Sequence, residues 1–187
     1  MASTSDIRNG MCINFNSDIY QVVEFLHVKP GKGAAFVRTK LKSVTSGRVL
    51  ENTFPSGAKL DEVRVEHREY QFLYKEGDQY MFMNNETYEQ VAIPEAIINA
   101  PEFLEEGMIV KIAVRAEDEL PLTCTLPATV VVEVIYAEPG IKGDTATNTL
   151  RPCTVSTGAK VMIPLFVNIG DKIKVNTDTG DYMERVK

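Results

Sequence analysis

The sequence predicts an all-β fold built from small barrels or sandwiches, and three observations carry that expectation. Short runs rich in Val, Ile, Tyr, Phe and Thr recur along the chain, bounded by Gly, Pro, Asn or Asp. Turn chemistry sits between apolar runs at Glu76-Gly77-Asp78 and at Asp178-Thr179-Gly180-Asp181. No stretch alternates strand with helix as a parallel α/β sheet does, and many short strands at regular spacing suit barrels.

Taken in order, the expected strands are 19–28, 35–44, 70–75, 79–83, 88–93, 108–115, 128–137 and 161–167. The first two flank a Gly-rich reversal, and the next two flank the Glu76-Gly77-Asp78 turn, so each pair reads as a hairpin. Only Pro94–Glu106 reads as helical. Pro94 suits a first turn and Ile97, Ile98, Phe103 and Leu104 can share a face, but Pro101 limits the segment to one short helix or two turns. A faint internal echo, G-x-x-[VI]-K-[IV] at 107–112 and 170–175, hints at two related later units.

Length and composition fit a soluble globular protein: 187 residues, 44% hydrophobic, 25% charged, with a net charge of −6. No apolar run reaches the roughly 18–20 residues that cross a bilayer. The polar start, Met1 to Asp6, lacks the basic and apolar regions of a signal peptide, so a cytoplasmic protein with no membrane partner is the default. Cys12, Cys124 and Cys153 are far apart and form neither a C-x-x-C pair nor a zinc spacing, so buried, reduced thiols are expected. Two histidines, His27 and His67, cannot supply a His-rich metal site. We expect no metal, no cofactor and no catalytic residues.

The charge is unevenly divided. Residues 1–63 carry a net +2, residues 64–127 a net −8 and residues 128–187 none. These are also the expected domain limits, set at the end of the cationic segment and at Leu126-Pro127-Ala128. Between Glu24 and Glu51 there is no acidic residue, while Lys29, Lys32, Arg38, Lys40, Lys42 and Arg48 all fall there. One cationic stretch in an acidic protein points to one anionic partner surface, with a merely solvated charged face as the alternative.

Local geometry favours the partner surface. Lys29, Pro30, Gly31, Lys32 and Gly33 lie between two strand-like runs, which places Lys32 at a hairpin tip. Along the return strand Phe36, Arg38, Lys40, Lys42 and Val44 share one face, and Ala35, Val37, Thr39, Leu41 and Ser43 the other. Successive cations then stand about 6.6 Å apart, a spacing suited to a phosphate backbone. Nothing in the sequence would desolvate Lys32, so it makes a poor catalytic base, and the phosphate-loop pattern is not matched. An unencumbered amine is suited to entering a narrow anionic crevice or to meeting a modifying enzyme.

Three segments resemble the bacterial elongation factor P family: KPGKGAAFVR at 29–38, STGAKVMIPLFVNIG at 156–170, and KIKVNTDTGDYMERV at 172–186. The resemblance runs end to end. It implies three small β-barrels, an SH3-like barrel of the KOW type and two OB-type barrels, in an L-shaped, tRNA-like arrangement. It implies a translation elongation factor, not an enzyme, that binds the ribosome (rRNA and ribosomal proteins) beside peptidyl-tRNA. Its hairpin would reach the peptidyl-transferase centre and relieve stalling at consecutive prolines. By the same resemblance Lys32 aligns with the tip residue that many members modify covalently, making a lysine-modifying enzyme a possible partner, and a monomer is expected. Tyr182 and Arg185 match positions used near tRNA. Gly143, Asp144 and Thr145 match a loop placed near mRNA, although residues 147–153 depart from the family's usual Gly-rich continuation. A paralogue with a narrower ribosomal role, a generic OB-fold RNA-binding protein and a small enzyme are the alternatives.

Overall fold

The computed structural model describes residues 1–140 and 149–187. In chain order the strands are β1 (Ala2–Ser3), β2 (Cys12–Phe15), β3 (Asp18–Val28), β4 (Phe36–Ser43), β5 (Val49–Pro55), β6 (Lys59–Leu60), β7 (Val65–Glu76), β8 (Gln79–Asn84), β9 (Gln90–Pro94), β10 (Ile109–Arg115), β11 (Leu120–Thr125), β12 (Thr129–Ala137), β13 (Leu150–Val155), β14 (Lys160–Pro164), β15 (Lys172–Asn176) and β16 (Tyr182–Val186). The only helical elements among the described residues are one-turn 3-10 segments at Thr4–Asp6, Glu95–Ile97 and Pro101–Phe103. The fold is all-β.

Three sheets dominate, ordered β2-β3-β4-β5, β11-β10-β7-β8-β9 and β14-β13-β12-β15-β16, with β1 and β6 forming a short two-stranded ribbon. Each large sheet contains at least one long strand with a single inserted residue. The register shifts between Val22 and Glu24, between Phe72 and Tyr74, between Val134 and Tyr136, and opposite the Lys174–Val175 step. A bulge bends its strand and increases the twist, which is what allows a short sheet to curl. It also explains several exposed apolar residues. Val23, Ile135 and Met183 are the extra residues at three of the shifts, and each is a third or more exposed because no ladder position holds it inward.

By internal contacts the chain divides into two compact units. One comprises Met1–His67 with Ala113–Thr123, the other Arg68–Ile112 with Cys124–Lys187. In the first, the inner face of the β2–β5 sheet closes over Ile13, Val22, Val37 and Leu41, with Phe15, Phe25 and Phe54 packed around them. Val37 and Leu41 are fully buried, and each contributes about 1.5–3 kcal/mol of burial.

Several expected boundaries move. The segment 94–106 forms two 3-10 turns, the second beginning at Pro101, whose missing N–H costs nothing at a first position. The strand expected from residue 88 starts at Gln90 because Tyr88 closes a turn at φ 60°, its N–H donating to the Asn84 carbonyl at 2.9 Å. The strand expected to reach residue 167 stops at Pro164. Strands β2, β5, β11 and β13 were not anticipated. They are four to seven residues long, and β11 contains Pro121, tolerated because β11 is the edge strand of its sheet.

Candidate nucleic-acid interface

The β3–β4 hairpin pairs from Tyr20 opposite Ser43 out to Val28 opposite Phe36. Residues 29–35 make the reversal with no regular structure. Gly33 adopts φ 108°, a conformation that disfavours any side chain, whereas Gly31 has no positive φ. The base of the loop is held by the Ser56 N–H, which donates to the Ala35 carbonyl at 2.9 Å. Lys29, Pro30, Gly31, Lys32 and Gly33 are all exposed. Among the described residues nothing forms a hydrogen bond or ion pair with the Lys29 or Lys32 side chain.

Strand β4 alternates as its sequence requires. Val37, Thr39, Leu41 and Ser43 are buried, while Arg38 and Lys42 are exposed and Lys40 is half-buried. The register adds what the sequence could not show. Lys40 stands opposite Glu24 on β3 and opposite Glu51 on β5. The two acids that bound the acid-free segment are therefore folded back onto the centre of its cationic row. Lys40 Nζ donates to Glu24 Oε2 at 2.7 Å. That hydrogen bond, then the Glu24 charge, hold the Lys40 ammonium above its ordinary pKa, with Glu51 adding to the effect. Arg38 faces Leu26 and Thr53, Lys42 faces Gln21 and Val49, and neither has an ion-pair partner among the described residues. The face thus presents two free cations, one neutralised cation between them, and two more free cations at the tip.

The bulge in β3 sets this arrangement. Val22 opposes Leu41 on the buried face, whereas Glu24 and Leu26 oppose Lys40 and Arg38 on the open face. A strand of unbroken period two would have put Val22, Glu24 and Leu26 on one side.

In the second unit, Tyr182 and Arg185 lie on β16. Their spacing of three would ordinarily send them to opposite faces. The extra residue Met183 changes this: Tyr182 opposes Val175 and Arg185 opposes Ile173, two fully buried positions of the same face. Arg185 Nη1 lies 3.6 Å from Asp171 Oδ2. Its guanidinium sits over the ring of Phe166, 5.7 Å from the centroid, a residue the sequence reading did not single out. Nothing in local composition marks it, since it lies in a loop that reads as the end of a strand. Gly143, Asp144 and Thr145 lie outside the described residues.

Other chemistry is sparse. Cys12, Cys124 and Cys153 are free and buried, and burial pushes the Cys124 thiol up to about 12, far from a reactive thiolate. Among the described residues no group of three or more His, Cys, Asp or Glu is placed to hold a metal ion. No helix among them is long and apolar enough to cross a membrane.

Comparison with known proteins decides the family. Residues 3–60 match the family model described as "Elongation factor P (EF-P) KOW-like domain", residues 65–121 the "Elongation factor P (EF-P) OB domain", and residues 130–185 "Elongation factor P, C-terminal". The chain belongs to the elongation factor P family. Curated relatives named "Elongation factor P" from Flavobacterium johnsoniae and Flavobacterium psychrophilum are 61% and 59% identical, each over the whole of both chains. "Elongation factor P 1" of Porphyromonas gingivalis is 55% identical, again over the full length of both. The chain is a translation elongation factor with an N-terminal KOW-like domain followed by OB-type domains.

Among solved structures it is similar to a eukaryotic translation initiation factor 5A from Methanococcus jannaschii, with TM-score 0.51 and 23% identity over 67% of this chain and 90% of that one. An eif-5a family protein from Naegleria fowleri gives the same TM-score at 15% identity, over 67% of this chain and 96% of that one. At such identities the likeness is one of fold.

Proposed function

We propose that this elongation factor binds the ribosome beside peptidyl-tRNA and promotes peptide-bond formation at consecutive prolines, with Lys32 carried toward the peptidyl-transferase centre. The observation that carries the reading is the exposed Lys32 amine between two glycines, without a partner among the described residues, on a hairpin whose other face is anchored in a packed core. Lys29, Arg38 and Lys42 grip RNA phosphates. Lys40, already paired with Glu24, contributes less. Tyr182 and Arg185 meet tRNA from the C-terminal domain. The domains in this reading are 1–63, 64–127 and 128–187.

Proline is a poor acceptor because its ring restricts approach. A bound factor helps by ordering the peptidyl-tRNA, and ordering reactants lowers a barrier by up to about 7–11 kcal/mol in well-oriented cases. The ribosome performs the chemistry, and Lys32 needs only to reach and hold. An amine so exposed is also open to a lysine-modifying enzyme, whose adduct would lengthen the reach.

The test is translation by purified components of a message encoding consecutive prolines, with and without this protein. Faster synthesis across the proline run, with no change on a proline-free message, is expected. Equal rates on the proline message in both conditions would overturn the proposal.

A further inference from the structure

The turn after β14 presents an aromatic ring to solvent with unusual firmness. Val167 is fully buried and anchors the turn, its N–H donating to the Pro164 carbonyl at 3.1 Å. The Val167 carbonyl accepts from Arg151 Nη2 at 2.6 Å, and the Asn168 N–H donates to Asp171 Oδ2 at 2.9 Å. Fixed on both sides, the backbone turns Phe166 outward, where it is 60% exposed. Such a ring adds little to the core. Arg185 is the only cation over it among the described residues, and its Nη1 lies 3.6 Å from Asp171 Oδ2.

We infer that Phe166 and Arg185 form a two-part seat for one RNA nucleotide, the ring taking the face of a base or ribose and the guanidinium taking the adjoining phosphate. The inference rests on the ribosome-binding reading above and adds to it a contact residue and a mode of contact. Aromatic faces stack on bases without regard to sequence, and an adjacent arginine adds both charge and a planar surface. The arrangement is better suited to RNA than to a protein partner. A protein anchor ring enters a dry pocket, and burying this one would also desolvate the guanidinium above it. A nucleotide offers that guanidinium a phosphate instead. The bulge at Met183 places Tyr182 on the same face of the sheet, so the seat has an aromatic neighbour along the strand.

The experiment places a photo-crosslinker, p-benzoyl-phenylalanine, at Phe166 in one full-length protein and at Ala34 of the hairpin in another. Each is irradiated on ribosomes carrying tRNA in the peptidyl site. The inference expects an RNase-sensitive adduct from position 166. An adduct to ribosomal protein alone, or none, from position 166 while position 34 crosslinks to RNA overturns the seat and leaves the proposed function standing. No RNA adduct from either position overturns both. As an independent readout, Phe166→Leu should weaken ribosome binding about tenfold while Phe166→Tyr stays within about twofold, since stacking needs an aromatic face. Leu binding as well as Phe would contradict stacking. Because the ring is exposed, neither substitution should shift the melting temperature, which separates binding from folding.

Discussion

The Lys40 ammonium lies 2.7 Å from the Glu24 carboxylate, in the middle of a strand face whose other cations, Arg38 and Lys42, have no partner among the described residues. Three cations that look equivalent in the sequence are therefore not equivalent in space. Removing the pair together leaves the net charge of the partner surface unchanged, because Lys40 and Glu24 cancel. Lys40→Met combined with Glu24→Gln should change ribosome affinity by no more than about twofold, in keeping with the small worth of exposed pairs. Arg38→Met and Lys42→Met should each weaken it several times more. Glu24→Gln should strengthen binding by releasing Lys40. Titration of the four variants against ribosomes checks the order, and equal losses at all three cations would contradict it.

The salt dependence follows from the same count. Lys29, Lys32, Arg38 and Lys42 are the cations of the hairpin without a partner among the described residues. If the three that grip phosphates, Lys29, Arg38 and Lys42, neutralise one each, log affinity should fall against log salt with a slope of roughly −2 to −3, from 0.7–0.9 per phosphate. Arg38→Met should reduce the slope by about one unit, and Lys40→Met combined with Glu24→Gln should leave it nearly unchanged. Binding measured across a salt series reads both, and a slope near zero would remove the electrostatic basis of the interface.

Asp18 gives the first unit an acid limit. Burial is the largest influence on its carboxyl and pushes the pKa up, but hydrogen bonds from the Ser43 and Thr45 hydroxyls and from the Ile19 N–H together outweigh it. Ser43 Oγ donates at 2.6 Å, and Thr45 Oγ1 at 2.9 Å. The folded-state pKa therefore lies below the ordinary 3.8. Asp18 contributes its full stabilisation above that value. As pH falls below it the unfolded chain takes up the proton first, and the contribution disappears. Asp18→Asn should cost about 1.5–3 kcal/mol near neutrality, the range for hydrogen bonds to a charged group. In urea unfolding the two proteins should converge at low pH, and a gap that stays constant would show that the charge plays no part.

The sequence was most legible where one residue decided a local question. Period two in β4 correctly sorted Val37 and Leu41 inward and Arg38 and Lys42 outward. Pro94 and Pro101 restricted the one helical-looking stretch to single turns. Register was not legible, because it depends on which strands meet. Glu24 and Glu51 mark the ends of a cationic segment in the chain and flank its centre in the sheet. Bulges were equally hidden. Val23 and Met183 look like ordinary strand residues, yet each inserted residue reassigns its neighbours' faces, and the second is why Tyr182 and Arg185 share a side. Phe166 escaped notice because its strand ends at Pro164 and the following turn is fixed by distant partners, Arg151 and Asp171.

The central claim is that Lys32 acts at the reaction centre while the cations behind it hold the protein in place. The direct measurement compares Lys32→Ala with the unsubstituted protein in two assays, cosedimentation with ribosomes and translation through a run of prolines. The account predicts near-normal binding with a large loss of proline-run synthesis. Parallel loss in both assays would reduce Lys32 to one more anchoring charge, and unimpaired proline-run synthesis would remove it from the mechanism.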